Sequence, residues 1–166
     1  MLFKKIALCM FLLCLTACGW QPLYYQKDSD MPVQTASIHI LPVPEENGRL
    51  LTQQLKDLLN PENETIEKKY TLSVQLQERL DTDQGILGDN TSTRATMRIT
   101  AKFQLKEKDK VILSDSAFAS SSYNILMLPY PTVTAENTTR KRLIDMLADK
   151  IALRLAVYFK TTEKDK

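Results

Sequence analysis

Residues 93–105 read TRATMRITAKFQL and alternate without a break. Ala95, Met97, Ile99, Ala101, Phe103 and Leu105 form one series. Arg94, Thr96, Arg98, Thr100, Lys102 and Gln104 form the other. A helix would scatter the six apolar side chains around its circumference. A strand places them all on one face, because successive side chains point to opposite sides. The stretch therefore predicts a long strand with one buried and one polar face.

The neighbouring residues extend the same reading. Lys106 to Asp109 is short and polar, so Lys110 to Tyr123 is expected to fold back as the second arm of an antiparallel hairpin. Upstream, Tyr70, Leu72, Val74 and Leu76 alternate with Thr71, Ser73, Gln75 and Gln77, which predicts a strand over 70–80. Ser37 to Leu41 is a short β-branched run stopped by Pro42 and Pro44. Together these predict a four-stranded sheet with one covered and one open face.

Two segments supply the cover. Asn47 to Asn60 carries Leu51, Leu55, Leu58 and Leu59 at helical spacing, and Pro61, lacking an amide donor, ends it. Thr134 to Tyr158 repeats Leu143, Leu147, Ile151 and Leu155 every four residues, widened by Ile144 and Ala148, with Thr132 or Thr134 as the cap. The expected fold is α+β: a two-layer sandwich in the order β-α-β-β-β-α, with two helices on one face of the sheet. Residues 37–160 make this single domain and 161–166 a polar tail.

The N-terminus is of another kind. Lys4 and Lys5 precede an apolar run from Ile6 to Leu15, which is too short to span a bilayer. Leu15-Thr16-Ala17-Cys18 follows, small residues directly before a cysteine, the pattern of a bacterial lipobox. Residues 1–17 are thus expected to be a lipoprotein signal peptide. Cys18 is expected to carry S-diacylglycerol and an N-acyl chain such as palmitate, enough acyl chains to anchor stably. Gly19 after the cysteine, rather than Asp, favours the outer membrane by likeness to known lipoproteins. Residues 18–36 lack periodicity and read as a tether, though Trp20, Tyr24 and Tyr25 are suited either to the headgroup level or to packing on the domain.

Removing Lys4 and Lys5 takes the formal charge from +2 to zero, so no global basic field points to nucleic acid. Cys9 and Cys14 leave with the signal, so the mature chain has neither free thiol nor disulfide. Catalytic chemistry is not expected. His39 is the one histidine, no second histidine or cysteine is at hand to build a usual zinc site, and no G-x-S-x-G turn occurs. Asp81 and Asp83, read as loop residues near Asp89, lack calcium-loop spacing.

Cys18-Gly19-Trp20-Gln21-Pro22-Leu23-Tyr24, Thr93-Arg94 opening the long strand, Ser122-Tyr123-Asn124, and Leu143 to Phe159 with Leu153-Arg154-Leu155-Ala156 resemble the lipopolysaccharide-assembly lipoprotein family LptE in order and spacing. Trp20 stands where phenylalanine is usual. The resemblance implies a non-enzymatic subunit on the periplasmic side of the outer membrane. It would sit in the lumen of a large β-barrel partner, LptD, help the barrel fold, plug it, and contact lipopolysaccharide in transit.

Three sets of residues are candidates for contact. Arg94, Arg98 and Lys102 share one strand face about 13 Å apart. They suit lipid phosphates, acidic side chains of the barrel wall, or the protection of a sheet edge. The family's basic lipid-contacting positions lie near the second–third strand loop and the end of the fourth strand. Arg94 falls near the first, and no lysine or arginine occurs between Lys110 and Arg140 to match the second. Two further segments, Ile86 and Leu87 between Gly85 and Gly88, and Ile125, Leu126, Met127 and Tyr130, are apolar enough to be partner contacts or to fold back over the core. The alternative function is a free-standing periplasmic lipoprotein that holds a small lipid or peptide in an apolar groove between helices and sheet.

Overall fold

The computed structural model describes residues 31–61, 66–86, 92–125 and 129–164. Its elements are α1 (Met31–Ala36), β1 (Ile38–Ile40), α2 (Glu45–Leu59), β2 (Tyr70–Ile86), β3 (Ser92–Glu107), β4 (Lys110–Asn124) and α3 (Pro129–Lys164). The strands form one sheet in sequence order, β1-β2-β3-β4. β1 runs parallel to β2, and the other pairs are antiparallel. The result is the expected α+β sandwich, with the sheet mixed rather than uniform.

The alternation in β3 translates directly into burial. All six residues of its apolar series are buried, with Phe103 and Met97 among the largest fully enclosed side chains. They meet Leu51, Leu55 and Leu59 of α2 and Leu143, Leu147, Ile151 and Leu155 of α3 in one continuous core. Leu58 is the exception to the α2 stripe. It lies about one helical step, 100°, from Leu59, and is 41% exposed on the flank.

The hairpin closes on two residues, Lys108 and Asp109, between the paired Glu107 and Lys110. Lys108 takes φ 53°, a left-handed conformation that tight hairpin turns demand. A bulge between Leu105 and Lys106 shifts the register at this end.

Several boundaries differ from the sequence reading. β2 does not stop at Leu80 but continues to Ile86, so Asp81, Asp83, Gly85 and Ile86 are strand residues, not loop. A register shift between Asp81 and Gln84 lets a segment poor in β-formers stay paired with β3. The stretch read as a tether contains α1, which touches α3 and buries Ala36. The last helix starts at Pro129, five residues before Thr134. Pro129 and Pro131 fit there because first-turn amides have no helical acceptor. Thr134 is thus no cap; its hydroxyl donates to the Tyr130 carbonyl at 3.0 Å. The same helix runs on through the expected polar tail to Lys164.

Candidate functional site

Helices cover one face of the sheet; the other is built from the polar series of three long strands. Register fixes what lies beside what. Arg94 is opposite Gln84 and Asn124, Arg98 opposite Arg79 and Ser120, and Lys102 opposite Gln75 and Ser116. Threonine, serine and glutamine fill the intervening positions, and the Thr96 and Ser122 hydroxyls hydrogen-bond at 2.8 Å. β3 is an inner strand, so its basic row does not protect a sheet edge; that reading of Arg94, Arg98 and Lys102 is removed. The row instead forms the middle of a broad polar surface.

Arg79 belongs to this surface and was not singled out from the sequence. Its parity with Gln75 and Gln77 placed it on the polar face, but which residue it opposes depends on the β2–β3 register. Asp81, opposite Thr96, is a carboxylate on the same face of β2. Among the described residues neither Arg79 nor Arg98 takes part in an ion pair.

Two features give the surface relief. Ser73, Gln75, Lys102, Gln104, Ser114 and Ser116 line a shallow groove of about 510 Å³ over the β2–β3–β4 strands. Beside it Phe118 stands 53% exposed among serines. The Arg98 guanidinium lies 5.0 Å from the Phe118 ring centre and the Lys150 ammonium 5.5 Å from it. Lys150 reaches the ring from α3 around the β4 edge, donating to the Phe118 carbonyl at 2.7 Å. Arg154, one helical turn later, pairs with Asp115 and holds that carboxyl below the usual carboxylate range, chiefly through their hydrogen bond.

The other expected contact residues fall apart from this face. Tyr130 is 82% exposed in the first turn of α3 and helps line an apolar recess of about 540 Å³ with Pro131, Thr134 and Ala135. Ile125 is half-buried against the core, and its amide donates to the Thr93 carbonyl at 2.9 Å. Ile86 ends β2 opposite Ser92. Cys18, Leu87, Leu126 and Met127 lie outside the described residues. His39 is exposed between buried Ile38 and Ile40.

A polar clamp, also missed from the sequence, ties α3 to the sheet. Arg140 donates to Glu78 of β2 at 2.9 Å, to Glu136 at 2.6 Å and to Asn137 at 3.0 Å. Asn47 of α2 donates to the same Glu78 carboxylate at 3.1 Å. These hydrogen bonds, the Glu78 one first, hold Arg140 more firmly protonated than an ordinary arginine. Burial, then the Glu136 carboxylate, pushes the Tyr123 hydroxyl up. Arg140 and Glu78 are 62 positions apart, and only the folded register brings them together.

Comparison with known proteins fits this architecture. A lipoprotein from Caulobacter crescentus CB15 superposes with a TM-score of 0.62 at 21% identity, covering 81% of this chain and 98% of its own. A minor lipoprotein from Acinetobacter baumannii superposes at 0.60 with 22% identity, covering 74% and 92%. Rare lipoprotein B from Shewanella oneidensis gives 0.58 at 12% identity, covering 75% and 99%. At these identities the likeness is one of fold. A search of curated protein sequences returned no match. The family model described as LptE, lipopolysaccharide-assembly, matches residues 35–155, from the end of α1 to the last core leucine of α3. The chain belongs to the LptE family of lipopolysaccharide-assembly proteins.

Proposed function

We propose that this chain is an outer-membrane lipoprotein that plugs a large LptD-type β-barrel and takes part in moving lipopolysaccharide through it to the cell surface. Residues 1–17 are the signal, and acylated Cys18 holds the protein to the periplasmic side of the membrane. It performs no reaction. Its work is to occupy and shape a lumen.

The observation that carries this reading is the asymmetry of the sandwich. Two helices seal one face of the sheet, while hydroxyls, amides and guanidinium groups occupy the other. The lumen of a large outer-membrane barrel is polar and water-filled. A plug needs an outward surface that exchanges hydrogen bonds with such a wall, and a filled interior so that its shape does not yield. The free-standing ligand-binding alternative needs an apolar groove between the layers. That space is packed with fully buried side chains of both helices and the sheet, including Phe103, Leu51, Leu143 and Leu147.

The test is purification of the tagged chain from mild-detergent outer membranes, with co-eluting proteins identified by mass. The reading expects one large barrel at equal stoichiometry. A lone monomer across salts and detergents overturns it.

A further inference from the structure

We infer that Lys150 and Arg154, reaching from α3 to β4, close the free edge of the sheet against a second copy of this chain. The inference concerns the chain by itself and does not rest on the barrel reading.

The two edges of the sheet are protected differently. β1 is three residues long and is followed by Pro42 and Pro44, so it offers little to pair with. It covers only Tyr70 to Leu72 of β2. The rest of β2 carries Glu78, Arg79 and Asp81 and a register shift between Asp81 and Gln84, charge and irregularity that spoil edge pairing. β4 has no such protection of its own. It is fifteen residues long, and from Val111 to Asn124 it holds one charged residue, Asp115, and neither proline nor glycine. Its register shift lies at the hairpin end, opposite Leu105 and Lys106, and the pairing beyond Leu113 is regular. Such an edge is a template for another strand.

Backbone direction shows what closes it. The Ile125 amide donates to the Thr93 carbonyl, so odd-numbered residues beyond Leu113 turn their backbone groups toward β3. Even-numbered residues turn theirs to the free edge. Two of these edge groups are taken by charged side chains. The Ser116 amide donates to the Asp115 carboxylate at 2.6 Å, and that carboxylate pairs with Arg154. The Phe118 carbonyl accepts from the Lys150 ammonium at 2.7 Å. Lys150 and Arg154 are one turn apart on α3, about 6 Å, while Ser116 and Phe118 are about 6.8 Å apart along the strand. Helix and strand therefore keep step, and α3 supplies the charge that the β4 sequence lacks. A second strand laid along this edge needs an amide where the ammonium stands and a carbonyl where the carboxylate stands. It would break two charge-assisted hydrogen bonds and bury the groups that made them. Each such bond is worth a factor of about ten or more in association. Another copy is the partner at issue because every copy presents the same nearly uncharged strand, and an antiparallel pair of β4 edges is twofold symmetric.

The buried core lies between Ala36 and Phe159, so the non-acylated chain lacking residues 1–18 retains it. Sedimentation velocity over the micromolar to millimolar range measures its association. Amide hydrogen exchange followed by NMR locates the contact. The parent should stay monomeric. The double variant Asp115→Ala with Lys150→Ala should dimerise at least tenfold more tightly than the parent, with the Phe118 and Ser120 amides exchanging more slowly as concentration rises. Lys150→Arg, which keeps a charged donor, should stay monomeric. Adding Ser120→Lys to the double variant should restore the monomer, because it returns a charge to the edge itself. Arg140→Met loosens the Glu78 clamp without touching Asp115, Lys150 or Arg154; it should stay monomeric, which separates edge pairing from association through lost stability. Lys150→Gln and Arg154→Gln, single changes at exposed positions, carry the test if the double variant does not fold. Folded variants that remain monomeric throughout, equal association by Arg140→Met, or dimers in which the β4 amides gain no protection would overturn the inference. None of these outcomes bears on co-purification with a barrel, so the two readings fail separately.

Discussion

Replacing Gly48 by alanine should destabilise the domain, although the position lies inside a helix where alanine is ordinarily preferred. Gly48 is buried on the inner side of α2. A Cβ there would sit 2.6 Å from the Val43 carbonyl oxygen and 2.7 Å from its Cγ1. Both distances are far inside ordinary van der Waals contact. Val43 cannot easily retreat: it is itself buried, and Pro44 after it restricts its backbone to extended conformations. Alanine over glycine in a helix is worth about 1 kcal/mol. Overpacking a rigid site costs about 1 to 3 kcal/mol, and contact with backbone argues for the upper end. The balance is a loss of about 1 to 2 kcal/mol, or about 4 to 8 °C in Tm for a domain of this size. Urea denaturation of the non-acylated chain, followed by circular dichroism, reads it, with Gln54→Ala on the exposed side of the same helix as a control expected within about 0.5 kcal/mol of the parent. Adding Val43→Ala removes the Cγ1 contact but not the carbonyl, so the pair should couple yet not fully rescue. A Gly48→Ala chain more stable by about 1 kcal/mol, as at an open helix site, would mean that Val43 gives way and the position is not overpacked.

Arg140→Met should cost about 2 kcal/mol in the same urea assay, between the values for exposed and buried ion pairs, because Arg140 is 21% and Glu78 29% exposed. Glu78→Gln in the Arg140→Met background should recover part of that loss, as the carboxylates left facing each other become one. Because Arg154 holds the Asp115 carboxyl below its ordinary range, the pair's contribution is complete above that range and fades as pH falls through the lowered value. Stability measured from pH 6 to pH 2 should therefore fall less steeply in Asp115→Asn, by only about 0.5 kcal/mol since both groups are partly exposed. Phe103→Ala, at a fully enclosed side chain, should cost about 3 to 5 kcal/mol, while Phe118→Ala on the open face should cost no more than about 1 kcal/mol in urea.

The central strand was legible because its period is unambiguous over thirteen residues, and its buried face followed residue for residue. The core stripes of both long helices were legible for the same reason, except that Leu58 of α2, counted in the stripe, lies exposed on its flank. What escaped was decided by contacts distant in sequence. Asp81 to Gly85 carries residues that disfavour strands, and only pairing with β3 across a register shift keeps it extended. Pro129 and Pro131 read as breakers because the sequence does not say that they fall in a first turn, where proline is harmless. α1 is six residues long, too short for any period to show. The basic row of β3 was visible, but not that β3 lies inside the sheet, nor that Arg98 has a second arginine beside it. Strand order and register set those facts.

In the proposed function the open sheet face, not the helical face, meets the partner and the transported lipid. Site-specific photocrosslinking in living cells distinguishes the two faces. Photoreactive residues at Gln77, Thr100 and Ser116 probe the open face, and at Lys141, Asp145 and Asp149 the outward side of α3. Open-face positions should crosslink to one large barrel and, in part, to lipopolysaccharide, while the helix positions should give weaker or no barrel adducts. Strong barrel adducts confined to the α3 positions, with none from the open face, would contradict it.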